Sequence, residues 1–350
     1  MAIRIGFPVE MLMKFGIGIG RTLPAHQAAD VAALADELGY EHCTFIESQN
    51  LCRDSTVMMA LAAEQTTRIK LGHAVTNPYI RHPAVLANTM ATIDELSSGR
   101  IFLGIGAGGS AVAMVGRSAR PLGELRDVVS FFRAFVAGEQ TTWHDAPMRS
   151  GWSRRDIPVV LGTHGARSCR LAGSIADGVF LPGLDPRIAA WKRARVAEGA
   201  EQAGRSLDDL ELWSRGAVFV HDDVDYAREF VRSYAATSAF FLWRSAVSRP
   251  EPVNRLLASA LPEGVAEEMA KLAERYQWEQ HEAKGAAHAR DLSSDLIDCF
   301  AIYGPPGRCV ERLGALAEAG VDAVSFTLYG VPDKAHMITR IIHDVAGQLR

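Results

Sequence analysis

The sequence predicts an α/β fold, a closed (β/α)8 barrel of the TIM type with a helical insertion before the last strand. Short apolar runs rich in β-branched residues recur along the 350-residue chain, and a longer amphipathic segment follows each run. This alternation is typical of parallel strands joined by crossover helices. Eight such runs favour a closed barrel over an open doubly wound sheet. The predicted strands are residues 3–7, 43–47, 69–75, 101–106, 158–162, 178–182, 217–220 and 323–329.

The segments between these runs have helical periodicity. Several of them begin after Pro and end at Gly, as helices tend to. The clearest predicted helices are residues 24–39, 83–99, 125–138, 166–178 and 306–322.

Residues 235–295 interrupt the alternation, because they lack strand patterns and are typical of several amphipathic helices. We expect them to form an insertion beside the barrel mouth, within a single domain that spans residues 1–350. A loop at residues 141–156 carries two Trp and several charged residues, and we expect it to cross the same rim. Both segments could shape a substrate pocket, or they could only cover an apolar surface or pair subunits.

The composition narrows the class of protein. With 48% hydrophobic and 22% charged residues the chain is typical of globular proteins, and a net charge of -4 argues against nucleic acid or an anionic membrane as a partner. Five widely spaced cysteines without a CxxC pair indicate a reduced setting. The chain lacks a signal-peptide pattern and a run of about 18 apolar residues. We therefore expect a soluble, cytoplasmic protein.

The densest glycine run, GIGAGGSA at residues 104–111, follows the fourth predicted strand. It contains GxGxxG through Gly104, Gly106 and Gly109, but a dinucleotide site normally uses the first βαβ unit and an acidic residue after the next strand. Glycines at a strand end also let backbone N–H groups approach a ligand closely. A tight turn between strand and helix is the third interpretation.

A second glycine turn, at residues 162–165, leaves the fifth predicted strand and enters a helix near Ala166. Free N–H groups and the helix dipole make such a terminus a natural phosphate site. The alternative is ordinary capping of the helix by the Thr163 side chain.

Polar residues also end the second and third predicted strands, as Glu47 with Ser48 and as Thr76 with Asn77. The carboxyl ends of barrel strands form the face where active sites lie. A carboxylate there can hold or transfer a proton if its surroundings raise its pKa. A solvated acid at the rim and an Asn-Pro turn are the alternatives.

Other common catalytic patterns are missing from the sequence. It contains no GxxxxGK[ST], HExxH, GxSxG or EF-hand motif, and its eleven His show no paired metal spacing. We therefore expect no metal site and none of the common routes to nucleotide, peptide or ester hydrolysis.

The stretch VTNPYIRHPAVLANTMATIDELSSGRIFLGIGAG at residues 75–108 resembles the bacterial-luciferase-like superfamily of flavin-type oxidoreductases. Within it, the sequence is most similar to the branch of coenzyme F420-dependent methylenetetrahydromethanopterin reductases, and the turn at 162–173 followed by IADGV matches a second motif. The resemblance implies a (β/α)8 barrel whose cofactor ring lies at the carboxyl ends of the strands. It also implies a non-prolyl cis peptide at Ala74 and Val75, behind the ring. The implied cofactor-binding residues are Ala74, Val75, Thr76, Asn77, Gly106, Ala107, Gly108, Gly109, Gly162, Thr163, His164, Gly165 and Ala166.

The chain departs from this branch at the end of the second strand. F420-dependent members often have Asp-His there, whereas this chain has Glu47 and Ser48, which become the candidate catalytic residues. The resemblance implies hydride transfer between coenzyme F420 and a small organic substrate. The alternatives are a monooxygenase that uses reduced FMN and O2, with a separate flavin or F420 reductase as partner, and a non-catalytic flavin-binding barrel. A homodimer is the expected assembly.

Overall fold

The computed structural model describes residues 13–20, 23–118, 121–281, 283–328 and 330–349. Within this part of the chain there are eleven strands. They are β1 Lys14–Ile19, β2 His42–Phe45, β3 Lys70–His73, β4 Ile101–Ile105, β5 Thr141–Trp143, β6 Ala146–Met148, β7 Val159–Gly162, β8 Gly178–Pro182, β9 Glu211–Val220, β10 Ala301–Gly304 and β11 Ala323–Thr327.

Eight of these strands close a parallel barrel. Their order around it is β1, β2, β3, β4, β7, β8, β9 and β11, and β11 pairs back with β1. The strand β10 extends the sheet along the carboxyl-terminal half of β9, and β5 with β6 forms a separate antiparallel hairpin. The predicted (β/α)8 barrel is confirmed.

Helices surround this barrel. The bounds are α1 Ala25–Glu37, α2 Ser55–Gln65, α3 Pro83–Leu96, α4 Ser110–Ala113, α5 Leu122–Ala137, α6 Ala166–Ile175, α7 Pro186–Gln202, α8 Val224–Leu242, α9 Pro252–Ala260, α10 Val265–Arg275, α11 Ser294–Asp298, α12 Pro306–Glu318 and α13 Lys334–Arg340. The helix starts follow local rules: Pro occupies the first turn of α3, α7, α9 and α12, and Asp side chains cap α2, α7, α8 and α13.

The strand predictions hold for seven of the eight runs, and the structure corrects their details. The run at residues 3–7 lies outside the described residues, and the first barrel strand is β1, which the sequence analysis missed because Gly16 and Gly18 interrupt its apolar pattern. The strand β9 begins at Glu211, six residues before the predicted start. The short strand β10 was also missed, so the helical segment precedes the last two strands.

Residues 235–295 contain the end of α8, a π-helical turn at Trp243–Val247, α9, α10 and the start of α11. In the described part of this segment there is no strand. The segment packs through aromatic contacts, of which the stack of Phe240 on Tyr276 is the tightest, with ring centroids 3.9 Å apart. Its assignment as an insertion within one domain stays a prediction.

The barrel interior is filled by aromatic rings. The His42 ring stacks on Trp213 with centroids 4.2 Å apart, and Phe102 and Phe180 close around the same Trp. Neither ring nitrogen of His42 has a hydrogen-bond partner among the described residues. Burial lowers the pKa of His42 to about 3, with Lys70 and Arg215 contributing. The imidazole is therefore neutral at pH 7 and serves as an aromatic filler.

A membrane-spanning helix is not found in the described residues, since none of their helices is both long and apolar enough.

Because the pKa of His42 is lower in the folded chain than its ordinary value of 6.5, the unfolded chain takes up the proton first as the pH falls. The resulting stabilisation is complete above pH 6.5 and is lost toward pH 3, by up to about 1.4 kcal/mol per pH unit for one group. We predict that His42→Leu makes the free energy of unfolding less dependent on pH between 6.5 and 4. Urea denaturation at several pH values measures this dependence.

The exposed His26 offers a matched control, because His26→Leu makes the same substitution outside the barrel interior. Equal slopes for His42→Leu and the wild type would contradict the burial argument.

Candidate active site

A cavity of about 880 Å³ opens at the carboxyl ends of the barrel strands. Residues that follow β2, β3, β4 and β7 line its inner wall, and residues of α8, α9 and the segment between them line the outer wall. The carboxyl ends of the strands are the face where barrel enzymes place their active sites.

All predicted cofactor-binding residues line this cavity, together with Glu47. Ser48 is buried but does not belong to the lining residues, and its hydroxyl lies 4.0 Å from the sulfur of Met114. The structure thus brings together residues that stand up to 92 positions apart, from 74 to 166, at one end of the barrel. The predicted cofactor-binding residues in this lining are Ala74, Val75, Thr76, Asn77, Gly106, Ala107, Gly108, Gly109, Gly162, Thr163, His164, Gly165 and Ala166.

The peptide bond between Ala74 and Val75 is cis, as predicted. The Val75 side chain packs between two glycines, because a Cβ atom on Gly106 would lie 3.1 Å from its Cγ2 atom and one on Gly162 would lie 3.0 Å from its Cγ1 atom. Larger residues at either glycine would displace Val75 from the cavity wall. These glycines are therefore required for close approach of three neighbouring strand ends.

The GxGxxG run does not form a dinucleotide site of the Rossmann type, because the sheet around it is a closed barrel. Gly104 lies within β4, and Gly109 immediately precedes the short helix α4. The turn at Gly106–Gly109 lines the cavity and joins β4 to α4, so close approach to a ligand and a tight turn both remain as interpretations.

The amino terminus of α6 opens into the cavity without a side-chain cap. The Thr163 hydroxyl donates instead to the carbonyl of Phe180 at 2.9 Å, so the capping interpretation is wrong. A Cβ atom on Gly165 would lie 2.2 Å from the carbonyl oxygen of Ser245, which shows how closely the segment after α8 approaches this terminus. The N–H groups of the first helical turn are therefore free of side-chain partners, and such groups can bind an anion.

A polar network surrounds Glu47. Its carboxylate accepts a hydrogen bond from the Thr76 hydroxyl and forms an ion pair with Arg81 at 2.8 Å. Arg81 also contacts Asp54 at 2.8 Å. Burial alone would lower the pKa of Arg81, but the two carboxylates raise it above its ordinary value. Glu47 is thus a buried, oriented carboxylate at the cavity wall and not the solvated acid that the sequence left open.

Asn77 has a local structural role as well as a place in the cavity wall. Its side-chain oxygen accepts hydrogen bonds from the backbone N–H groups of Tyr79 and Ile80, at 3.1 and 3.3 Å. This Asx turn fixes the chain between β3 and α3. The turn at the Asn-Pro pair is therefore present, and a role of Asn77 in cofactor binding stays a prediction.

The sequence analysis missed Arg215, a buried residue of the cavity wall on β9. Its Nη1 atom donates to the carbonyl of Ala74 at 2.7 Å. A single Arg within the apolar run WSRGAVFV could have indicated it, because charged residues rarely occupy buried strands without a specific role.

The helical segment contributes further residues to the cavity wall, of which the sequence analysis missed Thr237 and His281. The His164 ring stacks on Phe241 with centroids 5.5 Å apart, and burial lowers the pKa of His164 to about 3. The Tyr276 hydroxyl bridges Thr237 at 3.0 Å and the Nδ1 atom of His281 at 2.6 Å. Residues of the 235–295 segment thus shape the cavity, whereas the loop at 141–156 contributes none of its residues.

A second, shallower cavity of about 570 Å³ adjoins the first. The two share Leu122, Arg167 and Arg170 in their walls, so they form one continuous surface. Arg126 also lines the second cavity, which we call the arginine groove. Arg170 is paired with Glu198 at 2.8 Å, whereas Arg126 and Arg167 are exposed and have no acidic partner among the described residues.

A cavity at the strand ends with an anion-binding helix terminus in its wall is the arrangement of a barrel enzyme that binds a phosphorylated cofactor. A comparison of the whole sequence with known protein families agrees with a cofactor-dependent barrel enzyme. The family model of luciferase-like monooxygenases matches residues 9–323, and the chain belongs to this family. The predicted resemblance and the predicted class, a flavin-type oxidoreductase, are both confirmed.

The sequences of named relatives can be aligned with more than half of the chain. The 5,10-methylenetetrahydromethanopterin reductase of Archaeoglobus fulgidus is 28% identical over 346 residues, which are 97% of this chain and 100% of the relative. The F420-dependent glucose-6-phosphate dehydrogenase of Beutenbergia cavernae is 31% identical over 224 residues, 58% of this chain and 65% of the relative. The solved coenzyme F420 dependent tetrahydromethanopterin reductase of Methanopyrus kandleri shares the fold, with a TM-score of 0.78 at 24% identity over 97% of this chain and 99% of that one.

Proposed function

We propose that this chain is an oxidoreductase that transfers hydride between coenzyme F420 and a small organic substrate. The relatives named above include F420-dependent enzymes. The observation that carries the choice of F420 over FMN is the arginine groove. F420 has a chain of glutamates beyond its phosphate, whereas FMN ends at the phosphate. A groove with three arginines that continues from the phosphate end of the cavity matches a polyanionic extension.

The residues of the cavity fit the three parts of this cofactor. The uncapped terminus of α6 and the turn at Gly106–Gly109 would hold the phosphate through backbone N–H groups. Between the pairs Gly72–Phe102 and Thr76–Ile105 the chain after β3 has one residue more than β4, which forms a bulge at Ala74 and Val75. This bulge would support the ring. Arg126, Arg167 and Arg170 would bind the carboxylates. When bound, the cofactor supplies the hydride chemistry, and the protein supplies orientation and proton transfer.

Glu47 is the residue that we propose holds or moves a proton near the reacting atoms. Thr76 and Arg81 fix its carboxylate at the cavity wall, which gives it a defined orientation. The hydroxyl of Ser48, the second candidate, faces Met114 and has no contact with Glu47 among the described hydrogen bonds. We therefore propose that Glu47 holds the transferred proton and that Ser48 has only a structural role beside it.

Equilibrium titration of the purified protein with oxidised F420 and with FMN, followed by fluorescence, tests the cofactor. We expect tight binding of F420 and weak binding of FMN. Preferential binding of FMN would make the chain a candidate reduced-FMN monooxygenase, to be assayed with O2 and a flavin reductase. Binding of neither cofactor would contradict the proposal, and binding of F420 without turnover of any substrate would indicate a non-catalytic barrel.

A second titration compares F420 with its precursor that lacks the glutamate tail, and it tests the arginine groove directly. The wild type should bind F420 more tightly than the precursor that lacks glutamates, and the double variant R126Q/R167Q should lose most of this difference, about 2- to 10-fold for two exposed ion pairs. Its affinity for the tail-less precursor should not change. The control R193Q/K271Q removes the same charge at exposed residues that line neither cavity.

Glu47→Gln tests the assignment of the proton. We predict that this variant binds F420 with wild-type affinity but turns over a substrate, sought among imines, enones and alcohols, about 100-fold more slowly, because general acid and base groups contribute on this order. Asp54→Asn is the matched control, since it removes the other carboxylate of Arg81 while an Asn can still cap α2. Equal losses of turnover in both variants would show that Glu47 acts only through Arg81.

A further inference from the structure

Arg215 is a buried cation without a compensating charge in the described part of the chain. Its side chain is 8% exposed, and no carboxylate of a described residue lies within 4.0 Å of it. The groups around it are neutral. They include the Ala74 carbonyl at 2.7 Å, the Phe180 ring, whose centroid is 5.9 Å from the guanidinium carbon, and the buried, neutral His42.

Hydroxyl groups at the same level of the barrel also lack partners. Ser325 pairs in register with Arg215 across β9 and β11, and Thr327 follows it on the same side of the strand. The side-chain oxygens of both residues are buried and have no hydrogen-bond partner among the described residues. Arg215 thus adds one positive charge to the cavity wall, and beside it in the barrel lie two buried hydroxyl groups, which do not line the cavity themselves.

An ionised side chain inside a protein is costly unless a counter-charge or strong hydrogen bonds compensate it. The one hydrogen bond of Arg215 described here uses a single N–H group of the five that a guanidinium carries. Because Arg215 lines the cavity, a ligand in the cavity can reach the remaining donors. The site is built for a ligand with negative charge at this position.

We propose that Arg215 binds the negative charge of the reduced cofactor ring, so that the protein binds reduced F420 more tightly than oxidised F420. This inference rests on the proposed function. A deazaflavin ring that accepts a hydride gains one negative charge on its pyrimidinedione part unless a proton follows, and charge placed near that part tunes the cofactor. Arg215 donates to the carbonyl of Ala74, which belongs to the bulge assigned above to the ring, and this places the cation beside the ring and away from the phosphate.

The test compares dissociation constants for reduced and oxidised F420 in the wild type, Arg215→Met and Arg215→Lys. In Arg215→Met the affinity for reduced F420 should fall about tenfold or more beyond any fall for oxidised F420, the size expected for one cation near the ring. Arg215→Lys should retain most of the wild-type ratio because it keeps the charge. Equal losses for both redox forms, or no loss, would show that Arg215 only supports the Ala74 carbonyl and would overturn the proposal.

A measurement on the wild type keeps the proposal testable if the variants do not fold. Titration calorimetry in two buffers of different ionisation enthalpy counts the protons released when reduced F420 binds at a pH at which the free ring is protonated. Proton release is expected, because the anion is the bound form, and absence of release would overturn the proposal. If F420 does not bind at all, the proposed function fails. If the wild type binds reduced and oxidised F420 with equal affinity, only this inference fails.

An acidic substrate is the other possible source of the negative charge, and the same proteins distinguish it. Sulfate and acetate serve as probes in the presence of oxidised F420. One outcome is that a probe binds the wild type but not Arg215→Met, while the ratio of the dissociation constants for oxidised and reduced F420 is the same in both proteins. In that case the anion belongs to the substrate, and the proposal is overturned.

Discussion

The cavity depends on the packing of Val75 between the glycine turns that follow β4 and β7. This contact fixes the bulge at the end of β3, and the bulge in turn places the Ala74 carbonyl where Arg215 donates to it and Thr76 where it meets Glu47. Three strand ends, one cation and one carboxylate thus share a single packing constraint. A side chain at Gly106 or Gly162 would disturb all of them together.

Electrostatics around the cavity differ from those of the whole chain. The net charge is -4, yet the cavity meets the positive end of α6, the unpaired Arg215 and, where it continues outward, the arginine groove. These local positive charges favour an anion there even though the net charge of the protein is negative. The buried histidines His42 and His164 add no positive charge, because burial lowers their pKa values and keeps both rings neutral.

Sequence reasoning was sufficient for cavity residues that lie in a short segment directly after one strand. The glycine turns, the end of β3 and Glu47 each follow an apolar run, and strand ends of a barrel share one face, so their convergence could be predicted. The place of Arg215 in the cavity could not be predicted, because its side chain is held by the carbonyl of Ala74, which lies 141 positions away in the sequence. Thr237 was missed because an amphipathic helix reveals its apolar face but not the surface on which that face packs. His281 was missed because it lies in a turn without a pattern that marks it.

The proposed function requires the cavity and the arginine groove to hold one F420 molecule together, with the phosphate at α6 and the ring at the bulge. A crystal structure of the protein with oxidised F420 tests it most directly. We predict phosphate oxygens within hydrogen-bonding distance of the first N–H groups of α6, a ring in contact with Val75 and glutamates directed toward Arg126 and Arg167. A phosphate bound away from α6, or a ring outside the barrel mouth, would contradict the account.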